Sequence, residues 1–306
     1  MAIVALDVGG TNVRAGLFAA PGQVLATVQA ARRSFGTTLP VEGLAGFVDD
    51  CLASWEPTYG HIGAIGLAAA AVIEPDTGYV QRGENLGWRD LPLGDILTTH
   101  WQRKVAVDCD AFCGALAEAR YGSGRGMNDF LYVVIGTGIG HALVLDGAVR
   151  HGVNAAANVF GHLKVVLNGE PCYCGGRGCL CQYASGEGLA RVASGLSGQS
   201  EITAPAVISA YLAGTAWAVA AVEQWLDHVA LALSSVYNLL DIDCTVLGGG
   251  VVGDNFPDLA ALQERLLPLV YPQIRPVTLR RAALAEHSVL MGAAALAFDL
   301  EKRGDL

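Results

Sequence analysis

Apolar runs ending in glycine turns set the pattern of this chain. Residues 2 to 8, Ala-Ile-Val-Ala-Leu-Asp-Val, lack the alternation of a half-exposed strand and predict a buried one that stops at Gly9-Gly10-Thr11. Residues 13 to 18 and 24 to 28 predict two more strands, joined antiparallel through Pro21-Gly22. A helix is expected from about Val41 to Ser54, a strand from Ile62 to Ala69, then a loop-rich stretch with turns at Pro75-Asp76 and Gly83. Val105 to Val107 reads as a strand. Asp110 opens a helix to about Tyr121, where an Asp suits the N-terminal cap.

The pattern then repeats. Phe130 to Ile135 is an apolar run leading into Gly136-Thr137-Gly138-Ile139-Gly140, and His141 to Leu145 is the next strand. Two copies of one unit predict two similar domains facing a cleft. A helical region is expected around Ser185 to Ala193. Trp217 to Leu240 predicts a long helix, apolar on most faces and therefore buried. Cys244 to Leu247 is a strand ending in Gly248-Gly249-Gly250, and residues 258 to 269 and 288 to 302 predict helices. Alternating strands and helices give an α/β class.

Three strands thus run directly into glycine turns. Glycines let backbone N–H groups approach phosphate oxygens, and the Thr11 and Thr137 hydroxyls add donors. Each turn alone is unremarkable; three in the same strand-end setting point to nucleotide phosphates. None has the spacing of a Walker A loop or a dinucleotide fingerprint. Asp7, at the end of the first strand, reads either as a carboxylate that holds Mg²⁺ through water or as a turn cap.

A different chemistry lies at residues 161 to 185, where His162, Cys172, Cys174 and Cys179 follow H-x9-C-x-C-x4-C. Three thiolates and one imidazole suit a closed tetrahedral Zn²⁺ site, structural because no position is left for substrate. Gly175, Gly176 and Gly178 permit the tight curl between Cys174 and Cys179. The alternative is a run of buried or disulfide-linked cysteines. The remaining cysteines follow no disulfide framework and no signal peptide is visible, so a reducing cytosol is expected. With 19 basic against 29 acidic side chains the formal charge is −10, which argues against a nucleic-acid partner but not against ATP. No apolar run reaches membrane-spanning length without interruption.

These residues resemble the ROK family of sugar kinases and repressors, within the actin-like ATPase superfamily, over almost the whole chain. Asp7-Val8-Gly9-Gly10-Thr11 is similar to the family's first phosphate motif, Gly136 to Gly140 to the second, and Gly248 to Gly250 to the adenosine motif. Gly161-His162 with Cys-Tyr-Cys-Gly-Gly-Arg-Gly-Cys matches its zinc signature. The resemblance implies two ribonuclease-H-like domains around a central cleft, a homodimer, and ATP, Mg²⁺ and structural Zn²⁺. The domains are expected at 1–111 and 112–287, with a last helix, 288–306, returning to the first. The family's catalytic Asp lies eight residues before a helical Glu, here Glu118, which implies Asp110 as general base for the primary hydroxyl of a hexose-like acceptor.

The sugar side departs from the family. Cys109 stands for the Asn before the catalytic Asp, Phe112 for another Asn, Val159 for the Glu before the zinc His, Cys181 for the Glu after the last zinc Cys, and Ala70-Ala71 for Pro-Gly. Asn85 and His162 remain, while His141 replaces a Gly on the nucleotide side. The implied acceptor contacts are therefore Asn85, Cys109, Asp110, Val159, His162 and Cys181. This set predicts an acceptor that offers fewer hydroxyls, such as a deoxy sugar, amino sugar or cyclitol, with Asp108 either meeting an ammonium group or serving as a solvated strand end. The alternative is a catalytically weak sugar-binding sensor. Family repressors are expected to carry an extra N-terminal helix-turn-helix; a first strand at Ala2 and an acidic chain favour the kinase.

Overall fold

The structure is a computed structural model that describes residues 2–36 and 38–302. The first apolar run forms β1 (Ala2–Val8), followed by β2 (Asn12–Ala20), β3 (Gln23–Ala31), α1 (Val41–Tyr59) and β4 (Ile62–Ala69). Then come β5 (Val72–Glu74), β6 (Tyr79–Gly83), β7 (Trp88–Leu91), α2 (Leu93–Trp101), β8 (Lys104–Cys109) and α3 (Asp110–Tyr121). Five of the strands form a sheet in the order β3-β2-β1-β4-β8, antiparallel on the hairpin side and parallel from β1 to β8. β5, β6 and β7 make a small separate antiparallel sheet.

β1 is covered on both faces, which explains its unbroken apolar run. Val4, Leu6 and Val8 pack with the α1 residues Leu44, Val48 and Trp55, whereas Ile3 and Ala5 pack into a second cluster with Leu290 and Ala293.

The second half repeats the plan. β9 (Phe130–Ile135), β10 (Ile139–Leu145) and β11 (Ala148–Arg150) precede α4 (Cys181–Ala184), α5 (Gly186–Ser197), α6 (Ala204–Leu212) and α7 (Ala216–Leu240). β12 (Cys244–Gly248), α8 (Leu259–Leu266), β13 (Leu279–Arg281) and α9 (Ser288–Lys302) complete the chain. The sheet order is β11-β10-β9-β12-β13, with β9–β10 antiparallel and β9–β12–β13 parallel. It is the first sheet's order, strand for strand. Trp225, on α7, donates its indole N–H to the Ala184 carbonyl at 2.8 Å and ties α7 to the end of α4.

Two compact units result. One contains the described residues up to Gly122, the segment Val149–Ala157 and the described residues from His287 onward; the other contains Ser123–Ala148 and Asn158–Glu286. The break therefore falls after α3, eleven residues beyond the expected 111, because α3 packs along α9. The contact is tight. A Cβ on Gly292 would sit 1.9 Å from the Cys113 carbonyl oxygen, so only glycine admits this approach. At the head of α9, Ser288 donates to the fully buried Glu118 at 2.8 Å. Residues 303–306 of the expected last helix lie outside the described residues.

Several elements differ from expectation. α1 runs on to Tyr59 with Pro57 inside its last turn, where the missing N–H forgoes one helical bond. α8 stops at Leu266 and continues as a short 3₁₀ turn, Leu267–Leu269, because Pro268 cannot extend it. α7 buries one broad face only: Leu231 and Leu239 are 40% and 79% exposed, against the expected burial on most faces.

Candidate active site and metal centre

In the first unit the site grows from the ends of β1 and β8. Asp7 pairs across the hairpin with Arg14, and the following turn closes with the Gly9 N–H donating to the Asn12 carbonyl at 3.0 Å. Burial, then the nearby charge of Asp110, raises the Asp7 pKa to about 6, with Arg14 opposing. Asp110 is the first helical residue of α3, and Cys109 holds the cap position without a side-chain cap bond. The Asp110 carboxylate is fixed from two sides: Oδ1 accepts from the Ala111 N–H at 2.7 Å and from the Cys109 thiol at 3.2 Å. Its pKa is raised, above all by burial, with those donors pulling it down.

Asp108 is not free for an ammonium group. One oxygen accepts from the Cys109 N–H at 2.7 Å, and the other lies 2.8 Å from His151 Nε2. Phe112 stacks edge-on against that imidazole, ring centroids 4.5 Å apart. The residue that replaces a polar family side chain thus props a His–Asp pair, which ties the returning segment Val149–Ala157 to its unit. Asn85 sits exposed in a short 3₁₀ turn, Glu84–Leu86. Its backbone carbonyl accepts from the buried guanidinium of Arg32, which also bonds the Gly36 carbonyl, while the Arg32 N–H donates to the Thr11 carbonyl. This bridging place of Arg32 depends on tertiary approach and was not legible in the sequence.

In the second unit the two remaining glycine turns lie at the C-terminal ends of the neighbouring parallel strands β9 and β12, the usual ligand edge of an α/β sheet. The Val251 N–H donates to the Ile135 carbonyl at 2.9 Å and ties them together, while the Gly186 N–H, at the start of α5, donates to the Gly136 carbonyl at 2.7 Å. Ile139 and Gly140 already belong to β10, so the turn itself is Gly136-Thr137-Gly138, with Thr137 and Gly138 exposed. A Cβ on Gly10, Gly136, Gly138 or Gly250 would meet nothing within 4 Å. None of the four has a left-handed backbone either. Neither packing nor conformation requires glycine there, and the backbone is open to close approach. Gly248 and Gly249 differ, being packed against Ala282 and Ile135.

His141, on β10, accepts the Phe160 N–H at Nδ1, 2.8 Å away. Burial lowers its pKa to about 4, against a hydrogen bond to the Asn158 backbone, so the ring is neutral. It thereby holds the turn Phe160–His162, which Val159 precedes at 51% exposure.

The metal ligands converge as expected. One donor atom from each of His162, Cys172, Cys174 and Cys179 lies within 4.8 Å of every other. Gly175 and Gly178 take left-handed φ values of 85° and 71°, which close the knuckle. Cys172 Sγ is 3.6 Å from His162 Nδ1, and Cys174 Sγ is 3.6 Å from Cys179 Sγ. These are the edge lengths of a ligand tetrahedron around an ion with Zn–S of about 2.3 Å and Zn–N of about 2.0–2.1 Å. The Lys164 ammonium donates to Cys179 at 2.7 Å, and the Tyr173 hydroxyl meets His162 Nε2 at 3.2 Å, fixing the ring. The donor set and spacing fit Zn²⁺. Cys181, expected beside the acceptor, places its sulfur 3.7 Å from Cys172 Sγ and 3.9 Å from His162 Nδ1.

Comparisons with known proteins agree with this geometry. The ROK family model matches residues 3–299. A glucokinase of Halalkalibacterium halodurans is 34% identical over 263 residues, 81% of this chain and 80% of its own length. An N-acetyl-D-glucosamine kinase of Escherichia coli is 28% identical over 304 residues, 95% and 97% of the two chains. Among solved structures, the ROK hexokinase of Thermus thermophilus superposes with a TM-score of 0.83 at 32% identity, covering 99% of this chain and all of that one. A ROK family glucokinase of Streptomyces griseus in complex with glucose and AMPPNP reaches 0.79 at 27% identity, covering 98% of this chain and 100% of that chain. The repeated sheets are those of the actin-like ATPase fold, and with the family model spanning nearly its full length the chain belongs to the ROK family.

Proposed function

We propose that this chain, an ATP-dependent carbohydrate kinase, transfers the γ-phosphoryl group of ATP to the primary, 6-type hydroxyl of a hexose-like acceptor. Asp110 is the general base. The observation that carries this reading is the setting of Asp110: a partly buried carboxylate, fixed by the Ala111 N–H, with its proton affinity raised by burial. Such a group is better matched to take a hydroxyl proton as the oxygen attacks phosphorus than an ordinary solvated carboxylate. Little covalent chemistry is asked of the protein, so holding acceptor and phosphate in line supplies most of the rate.

Gly9, Gly10 and Thr11 together with Gly136, Thr137, Gly138 and Gly140 would hold the phosphates, and Gly248, Gly249 and Gly250 the adenosine. Mg²⁺, held through water at Asp7, would neutralise phosphate charge. Zn²⁺ at His162, Cys172, Cys174 and Cys179 would be structural and would fix the loop that carries Val159. The acceptor is a sugar, amino sugar or cyclitol that lacks or replaces hydroxyls where Val159 stands, since Val159 has no hydrogen-bonding group. Asn85 and His162 retain the family's polar character at their positions. Among the described residues no single helix is long and apolar enough to cross a membrane, and a cytosolic homodimer without nucleic-acid or membrane partners is the working assembly.

The test is Asp110→Asn, which keeps size and hydrogen bonding but removes the proton acceptor. Turnover should fall by roughly 10²-fold or more while ATP affinity barely changes; near-normal turnover would end the assignment. A coupled ADP-release assay over sugars, amino sugars and cyclitols identifies the acceptor. Silence across that whole panel, with sugar binding retained, would favour the sensor reading that the altered pocket also permits.

A further inference from the structure

Four donors lie within 4.8 Å of one another at the metal centre, and a fifth, Cys181, stands beside two of them. Cys181 opens α4 two residues after Cys179, and its side chain is 6% exposed. It packs with Cys172, Cys179 and Ile139 in one small cluster. Its sulfur stands 3.7 Å from Cys172 Sγ and 3.9 Å from His162 Nδ1. A tetrahedral site with Zn–S of about 2.3 Å has ligand–ligand edges of roughly 3.5–3.8 Å. Cys181 thus lies at about edge spacing from two of the four ligands, the same two that face each other at 3.6 Å. A residue placed only to line an acceptor pocket has no reason to bury its thiol at that spacing.

We infer that Cys181 is a fifth donor of the zinc centre and shares one coordination position with His162, so that the ion is held either by three thiolates and the imidazole or by four thiolates. The inference rests on the reading that the cluster holds zinc. Tetrahedral Zn²⁺ has no preference for geometry from d-electrons and accepts both donor sets, so a short swing of one side chain exchanges them. On binding, Cys181 gives its proton to solvent and His162 leaves as a neutral ring, still in reach of the Tyr173 hydroxyl at 3.2 Å. The exchange also releases the imidazole of a residue placed among the acceptor contacts, while the loop stays pinned.

Zinc content and Co²⁺ spectra of four full-length proteins test this: wild type, His162→Gln, Cys181→Ser and the double variant. Each single variant should keep about one zinc per chain through dialysis against a dilute chelator, and the double variant should lose it. In the Co²⁺-loaded His162→Gln protein, the thiolate-to-cobalt absorption should strengthen relative to Cys181→Ser, as four thiolates replace three. Loss of zinc from His162→Gln alone, or retention by the double variant, would overturn the inference. A zinc-free wild type would instead sink the underlying zinc reading. Should His162→Gln fail to fold, cadmium-113 NMR decides: the wild-type and Cys181→Ser signals should differ, and coincident signals overturn the shared position.

Discussion

At the scale of single residues, the departures from the family pattern prove to be coupled rather than scattered. His141 and the Val159–Phe160 turn look unrelated in sequence, yet the His141 ring accepts the Phe160 N–H and so replaces backbone anchoring that a Gly cannot give. This predicts a pH signature. The folded pKa of His141 is about 4, below the ordinary value of 6.5, so between those values the unfolded chain takes up a proton that the folded one refuses. Stability from this group is complete above about pH 6.5 and is lost as pH falls toward 4. At about 1.4 kcal/mol per unit, up to about 2 kcal/mol is lost between pH 7 and pH 5. His141→Gln should flatten that part of the profile, read as the difference in urea midpoint between the two pH values. An unchanged wild-type-like slope in the variant would show that other groups carry it. On activity the proposed base Asp110 should act in the same direction, its loss also coming as pH falls. Asp110 must be ionised to act as base and its pKa is raised by burial, so the acid limb of kcat/KM should lie above the usual Asp value of about 3.9.

At the scale of elements, the long periodic stretches were readable and the short ones were not. β1, β4, β9 and β12 announced themselves as apolar runs because both faces of each are covered, and the shared strand-turn-strand pattern exposed the duplication. α2 escaped because Gly94 and paired threonines, Thr98-Thr99, weaken its signal, although Leu93, Leu97 and Trp101 recur at helical spacing. α6 was hidden between glycines and alanines, β5, β6, β7 and β11 within turn-rich stretches, and β13 is three residues long with two arginines. The cysteine knuckle was fully legible, since ligand type and spacing are local. Cys181's place and Arg32's role were not, because both depend on tertiary approach. So does the contact of α9 with α3, which yields a clear competition of effects. Gly292→Ala would gain about 1 kcal/mol in helix propensity, but its Cβ would lie 1.9 Å from the Cys113 carbonyl oxygen, where backbone cannot yield cheaply. Overpacking of this kind costs about 1–3 kcal/mol or more. We expect a net loss of stability and a lower Tm; a Tm at or above wild type would mean that α9 shifts freely.

At the scale of the whole molecule, the expected phosphate turns keep the family pattern while the expected acceptor side departs from it. Four open glycines stand at the expected phosphate turns, while three of the altered positions on the expected acceptor side are engaged by other groups. The Cys109 thiol donates to Asp110, Phe112 props His151, and Cys181 faces the metal ligands. Val159, half exposed, carries no polar atom. A ring hydroxyl that loses its partner on burial costs about 1–3 kcal/mol. Two such losses amount to roughly 2–6 kcal/mol if additive, which is about 30- to 10⁴-fold in kcat/KM. Glucose, the substrate named for several relatives, should therefore be a poor acceptor here, and the best acceptor should lack or replace the hydroxyls that those positions would have met. Cys109→Asn with Val159→Glu should raise glucose turnover relative to that acceptor; Cys181 is left in place so that the metal centre is undisturbed. The decisive measurement uses the unmodified protein. Glucose efficiency at or above about 10⁴ M⁻¹s⁻¹, the low end for ordinary enzymes, would show that these substitutions leave hexose recognition intact and that partners elsewhere satisfy the hydroxyls.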